Sequence, residues 1–336
     1  MRSRTRTSLL LILFILCALP ACRRGAEPEP ERPVAGPADP WAIPPDSLYG
    51  ATAAENVRTR RVELELRGVP RGWDGMRIAV LSDLRIGAWR DSERVAEAAA
   101  RVAAAAEPDL VVLLGDLSAG GSSEALGRAL APLRGMPMLA VLGPGDTASE
   151  EAMERVSAEL ERIGATVLRN QAVAFARGTD TAFVAGIEAG YATFTAQHQA
   201  QLLSGLPEGA ATPLLLTADA SVLPRLPERR FAAVLAGRTL CAEVEVPGAT
   251  RLASLGEGEL AAARMPRSTR LFRSAENTLF VSCSLGHTYL PARFASAPEV
   301  PVITLRRIPE PRAEGEDADP AATTQADAPP ASAEPQ

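Results

Sequence analysis

The chain has 336 residues, 46% of them hydrophobic and 23% charged, which is enough for one large domain or two ordinary ones and excludes wholesale disorder. Aromatic residues are only 4% and the net charge is −6, so few stacking platforms and no general electrostatic attraction are on offer to nucleic acid. All 35 basic residues are Arg, and the only two His stand at 198 and 287. Coding bias accounts for the missing Lys; the scarcity of His bears on the motifs below.

The N-terminus reads as an export signal. Arg2, Arg4 and Arg6 form a positive start, and Leu9–Leu19 is an unbroken apolar run of 11 residues, too short to span a bilayer. It ends in Leu19-Pro20-Ala21-Cys22, which resembles a bacterial lipobox, with Cys22 as the residue that takes the lipid. A plain signal peptide cut after Ala21 is the alternative. On the first reading, residues 1–21 are a lipoprotein signal peptide. Residues 22–48 are the lipidated Cys followed by a Pro-rich tether, with seven Pro and no apolar periodicity. The expected location is then an exported, membrane-anchored lipoprotein, on the periplasmic face of an outer membrane if the cell has one. Residues 309–336 hold seven acids against one Arg and much Pro and Ala, and read as a disordered acidic tail. A globular domain remains at 49–308.

Within it, strands and helices alternate. Arg61–Leu66 alternates as a half-buried strand should, and Arg77–Leu81, Leu110–Leu114 and Met138–Leu142 are short apolar runs of the buried-strand type. Ser92–Ala106, Ser123–Leu133 and Glu150–Ile163 have helical spacing. Further strands are expected at Ala182–Ile187, Pro213–Thr217, Ala232–Leu235, Ala242–Val246, Leu271–Ser274, Thr278–Ser282 and Val302–Leu305. The pattern predicts an α/β domain with extensive sheet.

Three early strands run into an acid: Asp83, Asp116 and Asp146. Ligand sites form at strand C-termini in open α/β sheets, and carboxylates gathered there suit hard divalent cations. The equal alternative is that each Asp caps a turn or a helix. Gly143-Pro144-Gly145-Asp146-Thr147-Ala148 also fits a dinucleotide fingerprint, but Pro144 removes a backbone donor where phosphate would sit.

At this point the sequence resembles the calcineurin-like metallophosphoesterases, in particular a membrane-associated bacterial branch that includes UDP-diacylglucosamine pyrophosphatases. The resemblance is carried by Tyr49-Gly50, the stretch through Leu81-Ser82-Asp83-Leu84-Arg85, PDLVVLLGDL at 108–117, AVLGPGD at 140–146 and LPARFASAPEVPVITL at 290–305. It implies a four-layer α/β/β/α sandwich with two mixed sheets. It also implies two divalent metals (Mn, Fe, Zn or Mg) bridged by one Asp, with a metal-bound hydroxide attacking phosphorus.

The ligand motifs depart from that pattern. Asp-x-His stands here as Asp83-Leu84-Arg85, and Gly-Asp is kept as Gly115-Asp116, the bridging position. Gly-Asn-His-Asp is Gly143-Pro144-Gly145-Asp146, without the Asn ligand and the catalytic His. The strand-end His position falls at Ala218, and Gly-His-Thr-His is Gly237-Arg238-Thr239-Leu240. Of seven implied ligands only Asp83 and Asp116 remain, and His198 and His287 read as surface or structural residues.

Two carboxylates do not hold a binuclear cluster, so no resident metal is expected. A single weakly held Mg²⁺ or Ca²⁺ on Asp83 and Asp116, joined by Asp146 or Asp219, is the alternative. Arg85 and Arg238 stand at ligand positions, and guanidinium groups there would neutralise the two Asp in place of metal. Three functions follow from the resemblance. The first is a catalytically degenerate lipoprotein that binds an unknown protein or phosphate-bearing ligand at the envelope. The second is a residual metal-dependent hydrolase of a lipid-linked or envelope phosphate ester. The third is a metal-free anion binder using Arg85 and Arg238. In the implied fold Cys241 and Cys283 approach one cleft edge, where either a disulfide or two buried thiols fit.

Overall fold

The computed structural model describes residues 54–88, 91–119, 123–187, 196–206, 211–226, 230–237, 271–273, 278–282, 285–286 and 298–309. Outside them lie Cys22 with the signal and tether segments, Arg238, Leu240, Cys241, the expected strand Ala242–Val246, Cys283, His287 and the tail beyond residue 309.

The first sheet is built from β1 (Arg58–Leu66), β2 (Arg77–Leu81), β3 (Leu110–Leu114), β4 (Met138–Val141), β5 (Ala165–Val167) and β12 (Glu299–Arg307). Its order is β1-β12-β2-β3-β4-β5, all neighbours parallel except β12 against β2. The second sheet contains β6 (Gln171–Arg177), β7 (Asp180–Ile187), β8 (Leu214–Thr217), β9 (Ala233–Ala236), β10 (Leu271–Arg273) and β11 (Thr278–Val281). Its order is β10-β11-β9-β8-β7-β6, with antiparallel hairpins β6–β7 and β10–β11 flanking a parallel centre. Both sheets are mixed, as the resemblance implies. The helices are α1 (Ser92–Ala105), α2 (Ser123–Ala129), α3 (Glu150–Arg162) and α4 (Ala196–Ser204).

The alternation of side chains along each strand sorts the core into three layers. Leu64, Ile78, Val80, Val112, Leu114 and Val141 of the first sheet meet Val184, Leu214, Leu216, Leu235 and Phe280 of the second. The residues between them face the other way. Leu81, Val111, Leu113 and Ala140 pack on Ala-rich α1 and on α2 and α3. Ile187, Leu215, Val234 and Val281 pack on Leu202 of α4 and on the 3-10 segment Ala220–Arg225. The order of layers is therefore helices, sheet, sheet, helices.

The ends of the helices follow local chemistry. Ser149 caps α3, its Oγ accepting the Ala152 N–H at 3.1 Å. The helix expected over Ser123–Leu133 stops at Ala129 and continues as a separate 3-10 turn, Ala131–Leu133. Pro132 has no N–H to donate and its ring crowds the carbonyl four residues back, which forces that break. Strands β5 and β6 are additions to the expected elements. His198, expected on a solvated face, is half-buried on α4. No helix among the described residues is long and apolar enough to cross a membrane.

At the end of the sandwich away from the strand C-termini of β2 and β3, polar groups join the layers. The Gly72 N–H donates to Asp180 Oδ2 at 2.6 Å. Arg177 donates to the carbonyls of Gly72 and Asp74 and pairs with Asp109 at 3.4 Å. Trp73 meets Phe175 edge to face, with ring centroids 5.6 Å apart.

Candidate functional site

Because β2, β3 and β4 run parallel in one sheet and β7, β8, β9 and β11 in the other, their C-terminal ends collect in two rows. Several close approaches bring the rows together. The Ser82 and Ser282 hydroxyls, both buried, are 2.9 Å apart. A Cβ on Gly115 would lie 2.6 Å from Ala218 Cβ, and one on Gly237 would overlap the Leu114 carbonyl. The Gly286 N–H donates to the Asp83 carbonyl at 2.8 Å. Asp83, Asp116, Gly143, Gly145, Asp146, Ala218 and Gly237 thus share one corner, where the sequence motifs place them.

Asp83 and Asp116 are both buried, and both have left-handed backbones, with φ of 53° and 50°. Arg85 does too, with φ of 47°. Asp tolerates this region better than Arg, whose longer side chain gives no local compensation, and each such residue costs about 1–2 kcal/mol. Backbone bonds hold the turns in place. Asp83 N–H donates to the Gly115 carbonyl and Arg85 N–H to the Asp116 carbonyl, each at 3.0 Å. The Gly87 N–H reaches Ser92 Oγ at 3.0 Å, tying the same loop to the start of α1.

The Asp116 carboxylate is engaged on both oxygens. Oδ2 accepts from Arg85 Nη2 at 3.0 Å, and Oδ1 accepts the Gly145 N–H at 2.7 Å. The Asp116 side chain is 3% exposed and that of Arg85 22%, so this pair is far drier than a surface salt bridge. Gly143 and Gly145 make the approach of the loop feasible. A Cβ on Gly143 would lie 2.5 Å from both Asp116 N and Oδ1, and one on Gly145 would lie 3.1 Å from Oδ1.

Asp146 is fully buried and faces backbone. Its Oδ1 accepts the Leu117 and Ser118 N–H groups and its Oδ2 the Gly143 N–H, all at 2.9 Å. Burial pushes its carboxyl up to about 7; the three N–H donors pull the other way, and the Asp116 charge adds to the rise. Of the two readings that the sequence leaves open for the strand-end acids, Asp146 follows the capping one. Asp219 closes its own turn, its N–H donating to Thr217 Oγ1 at 3.1 Å.

The donor set does not fit a metal pair. Asp116, at the position that the resemblance gives as bridging, already accepts from a guanidinium and an amide N–H. Pro144, Gly145 and Ala218 offer no side-chain donor. Among the described residues no three His, Cys, Asp or Glu gather as a metal-holding group. Of the two guanidiniums expected to replace metal, Arg85 is in contact with Asp116, while Arg238 lies outside the described residues. The Gly145 N–H contact has no signal in the sequence, because a backbone donor leaves no mark on residue type.

Residues 76–179 match the family model described as calcineurin-like phosphoesterase. No curated relative matches the chain. Among solved structures, the chain is similar to the TT1561 protein of Thermus thermophilus, at 14% identity over 62% of this chain and 90% of that one, with a TM-score of 0.34. It is similar to the phosphopantetheinyl hydrolase of Mycobacterium tuberculosis, at 10% identity over 72% and 99%, with a TM-score of 0.37. A dimetal phosphatase from Danio rerio aligns at 10% identity over 63% and 88%, with a TM-score of 0.31. The matched segment spans β2 to the β6–β7 turn and so includes Asp83, Arg85, Asp116 and Asp146. The matched segment and the two mixed sheets give the chain a domain of the metallophosphoesterase fold.

Proposed function

We propose that this chain is a non-hydrolytic metallophosphoesterase-fold lipoprotein, anchored through Cys22 at an envelope membrane and acting there by binding or scaffolding. The observation that carries the reading is the state of Asp116. In the resembled motif this carboxylate bridges two metals; here Arg85 and the Gly145 N–H take both of its oxygens. Without a metal-bound hydroxide there is no activated nucleophile, and without a His at 145 there is no acid for the leaving oxygen. The tether and lipobox-like Cys22 support the membrane placement. The resemblance to the membrane-associated branch supports a partner or phosphate-bearing ligand at that surface.

Metal analysis of the purified chain, paired with hydrolysis of bis-p-nitrophenyl phosphate under Mn²⁺, tests the loss of chemistry. Trace metal and no turnover are expected. Stoichiometric Mn²⁺ with turnover that Asp116→Ala abolishes would overturn the proposal. Fractionation of cells expressing Cys22→Ser tests the anchor: the variant is expected to leave the membrane fraction, and retention there refutes lipidation at Cys22.

A further inference from the structure

The corner stores strain that its chemistry no longer explains. Asp83, Arg85 and Asp116 are three of the five non-glycine residues with positive φ among the described residues, and they stand within the loops that follow β2 and β3. Conformations of this kind persist only where the surroundings over-determine them. Two buried carboxylates add a second cost, since a buried charge without a compensating partner is strongly unfavourable. In a metal-loaded centre the cations would meet both demands. Here the cation in contact with the bridging carboxylate is a side chain.

The geometry makes Arg85 more than a counter-charge. Its own N–H donates to the Asp116 carbonyl and its guanidinium to the Asp116 carboxylate, so one residue grips another at main chain and side chain. Asp116 then passes the link to the loop after β4 through the Gly145 N–H. Three loops from three neighbouring strands are joined in series: 83–88, 115–119 and 143–146.

We infer that Arg85 is a built-in cation that has taken over the structural work of the metals, cross-linking the two strained loops after β2 and β3, and through Asp116 the loop after β4, and freeing the fold from dependence on divalent ions. This deepens the reading of a metal-free centre and rests on it. It assigns to Arg85 a duty other than ligand binding. It also requires the reach of Arg, because the contact is made by Nη2 at the far end of the guanidinium, one bond farther along the side chain than a Lys ammonium extends.

A double-mutant cycle tests it, read by thermal unfolding of the full chain. Arg85→Ala is expected to lower Tm by about 6–12 °C, the size for breaking a largely buried pair in a domain of this length. Asp116→Asn added to Arg85→Ala is expected to lower it by less than Asp116→Asn does alone, since the two share one interaction. Arg85→Lys should recover under half of the loss. Wild-type Tm should not move with millimolar EDTA or MnCl₂, whereas Mn²⁺ should raise the Tm of Arg85→Ala by several degrees, the cation returning to the vacated charge. Additive losses in the cycle, or full function of Lys, would overturn the cross-link while leaving the non-hydrolytic reading intact. A wild-type Tm that falls in EDTA would overturn both. Should Arg85→Ala not fold, the cycle is run with Arg85→Lys and Asp116→Asn, and the same additivity criterion decides.

Discussion

Asp146 offers a pH test of how this corner is held together. Its carboxyl is fully buried, accepts three backbone N–H groups at 2.9 Å, and is raised from 3.8 to about 7 by burial. In the unfolded chain the group titrates near 3.8, so between that pH and about 7 the folded state holds a proton that the unfolded state has lost. Stability from this group is therefore fully present below the unfolded pKa and is lost as pH rises through the folded one. The whole interval corresponds to about 4 kcal/mol, and the part between pH 5 and pH 8 to about 3 kcal/mol. Asp146→Asn abolishes the titration. Its amide oxygen still serves Leu117 and Ser118, but its NH₂ faces the Gly143 N–H, and the orphaned donor costs about 1–3 kcal/mol. Urea unfolding of both proteins across pH 5 to 8 separates these contributions, since every other titrating group is common to the two. Wild type should be the more stable at pH 5, with the gap shrinking by about 3 kcal/mol by pH 8. A gap that stays constant within about 0.5 kcal/mol would refute the reasoning: the three N–H donors would then be holding the carboxylate ionised throughout.

Two further outcomes bear on the supports of the site. Gly143→Ala puts a Cβ 2.5 Å from Asp116 N and Oδ1, so the loop must back away at a cost of about 1–3 kcal/mol, visible as a lower urea midpoint with an unchanged slope. Arg177→Ala frees the carbonyls of Gly72 and Asp74 and the Asp109 carboxylate. A loss of about 1–2 kcal/mol is expected, with faster amide exchange in the β6–β7 hairpin while β3 stays protected; uniform exchange across both sheets would contradict a local role.

The elements most legible in the sequence are those whose pattern is apolar and continuous. Leu110–Leu114 and Arg77–Leu81 are read to the residue because buried parallel strands leave near-unbroken hydrophobic runs. Strands held mainly by backbone pairing are harder to see. β1 begins at Arg58 rather than Arg61 because Arg58, Thr59 and Arg60 pair in register with Glu299, Val300 and Pro301, and exposed Arg side chains carry no sign of it. β5 is a three-residue edge strand directly after a helix, and β6 alternates mostly through Ala, too small to raise a periodic signal. At the site, residue identities mark Asp83, Asp116 and Arg85 as strand-end positions. The left-handed backbones and the Gly145 amide contact are invisible there, because both are properties of main chain set by tertiary packing.

Compared with the motifs the sequence resembles, Asp83 and Asp116 keep the expected carboxylate, and the other described positions that keep the expected residue have work to do in the backbone. Gly115 has φ of 79° and admits Ala218 at its back, Gly143 clears Asp116, Gly237 clears Leu114, and Asp146 gathers three N–H groups. Among the described residues, the positions that differ are 85, 144, 145 and 218, whose side chains the resemblance assigns to a metal or a leaving group. The changes also reinforce one another. With glycine at 145, the main chain closes to 2.7 Å of Asp116 Oδ1, whereas a side chain there would begin 3.1 Å from that oxygen and 3.2 Å from the Ser118 carbonyl. That closure consumes the oxygen a metal would need, and Arg85 consumes the other. Restoring His at any single position would therefore meet an Asp116 carboxylate already engaged by Arg85 and the Gly145 N–H, which supports the proposal of a centre rebuilt around Arg85.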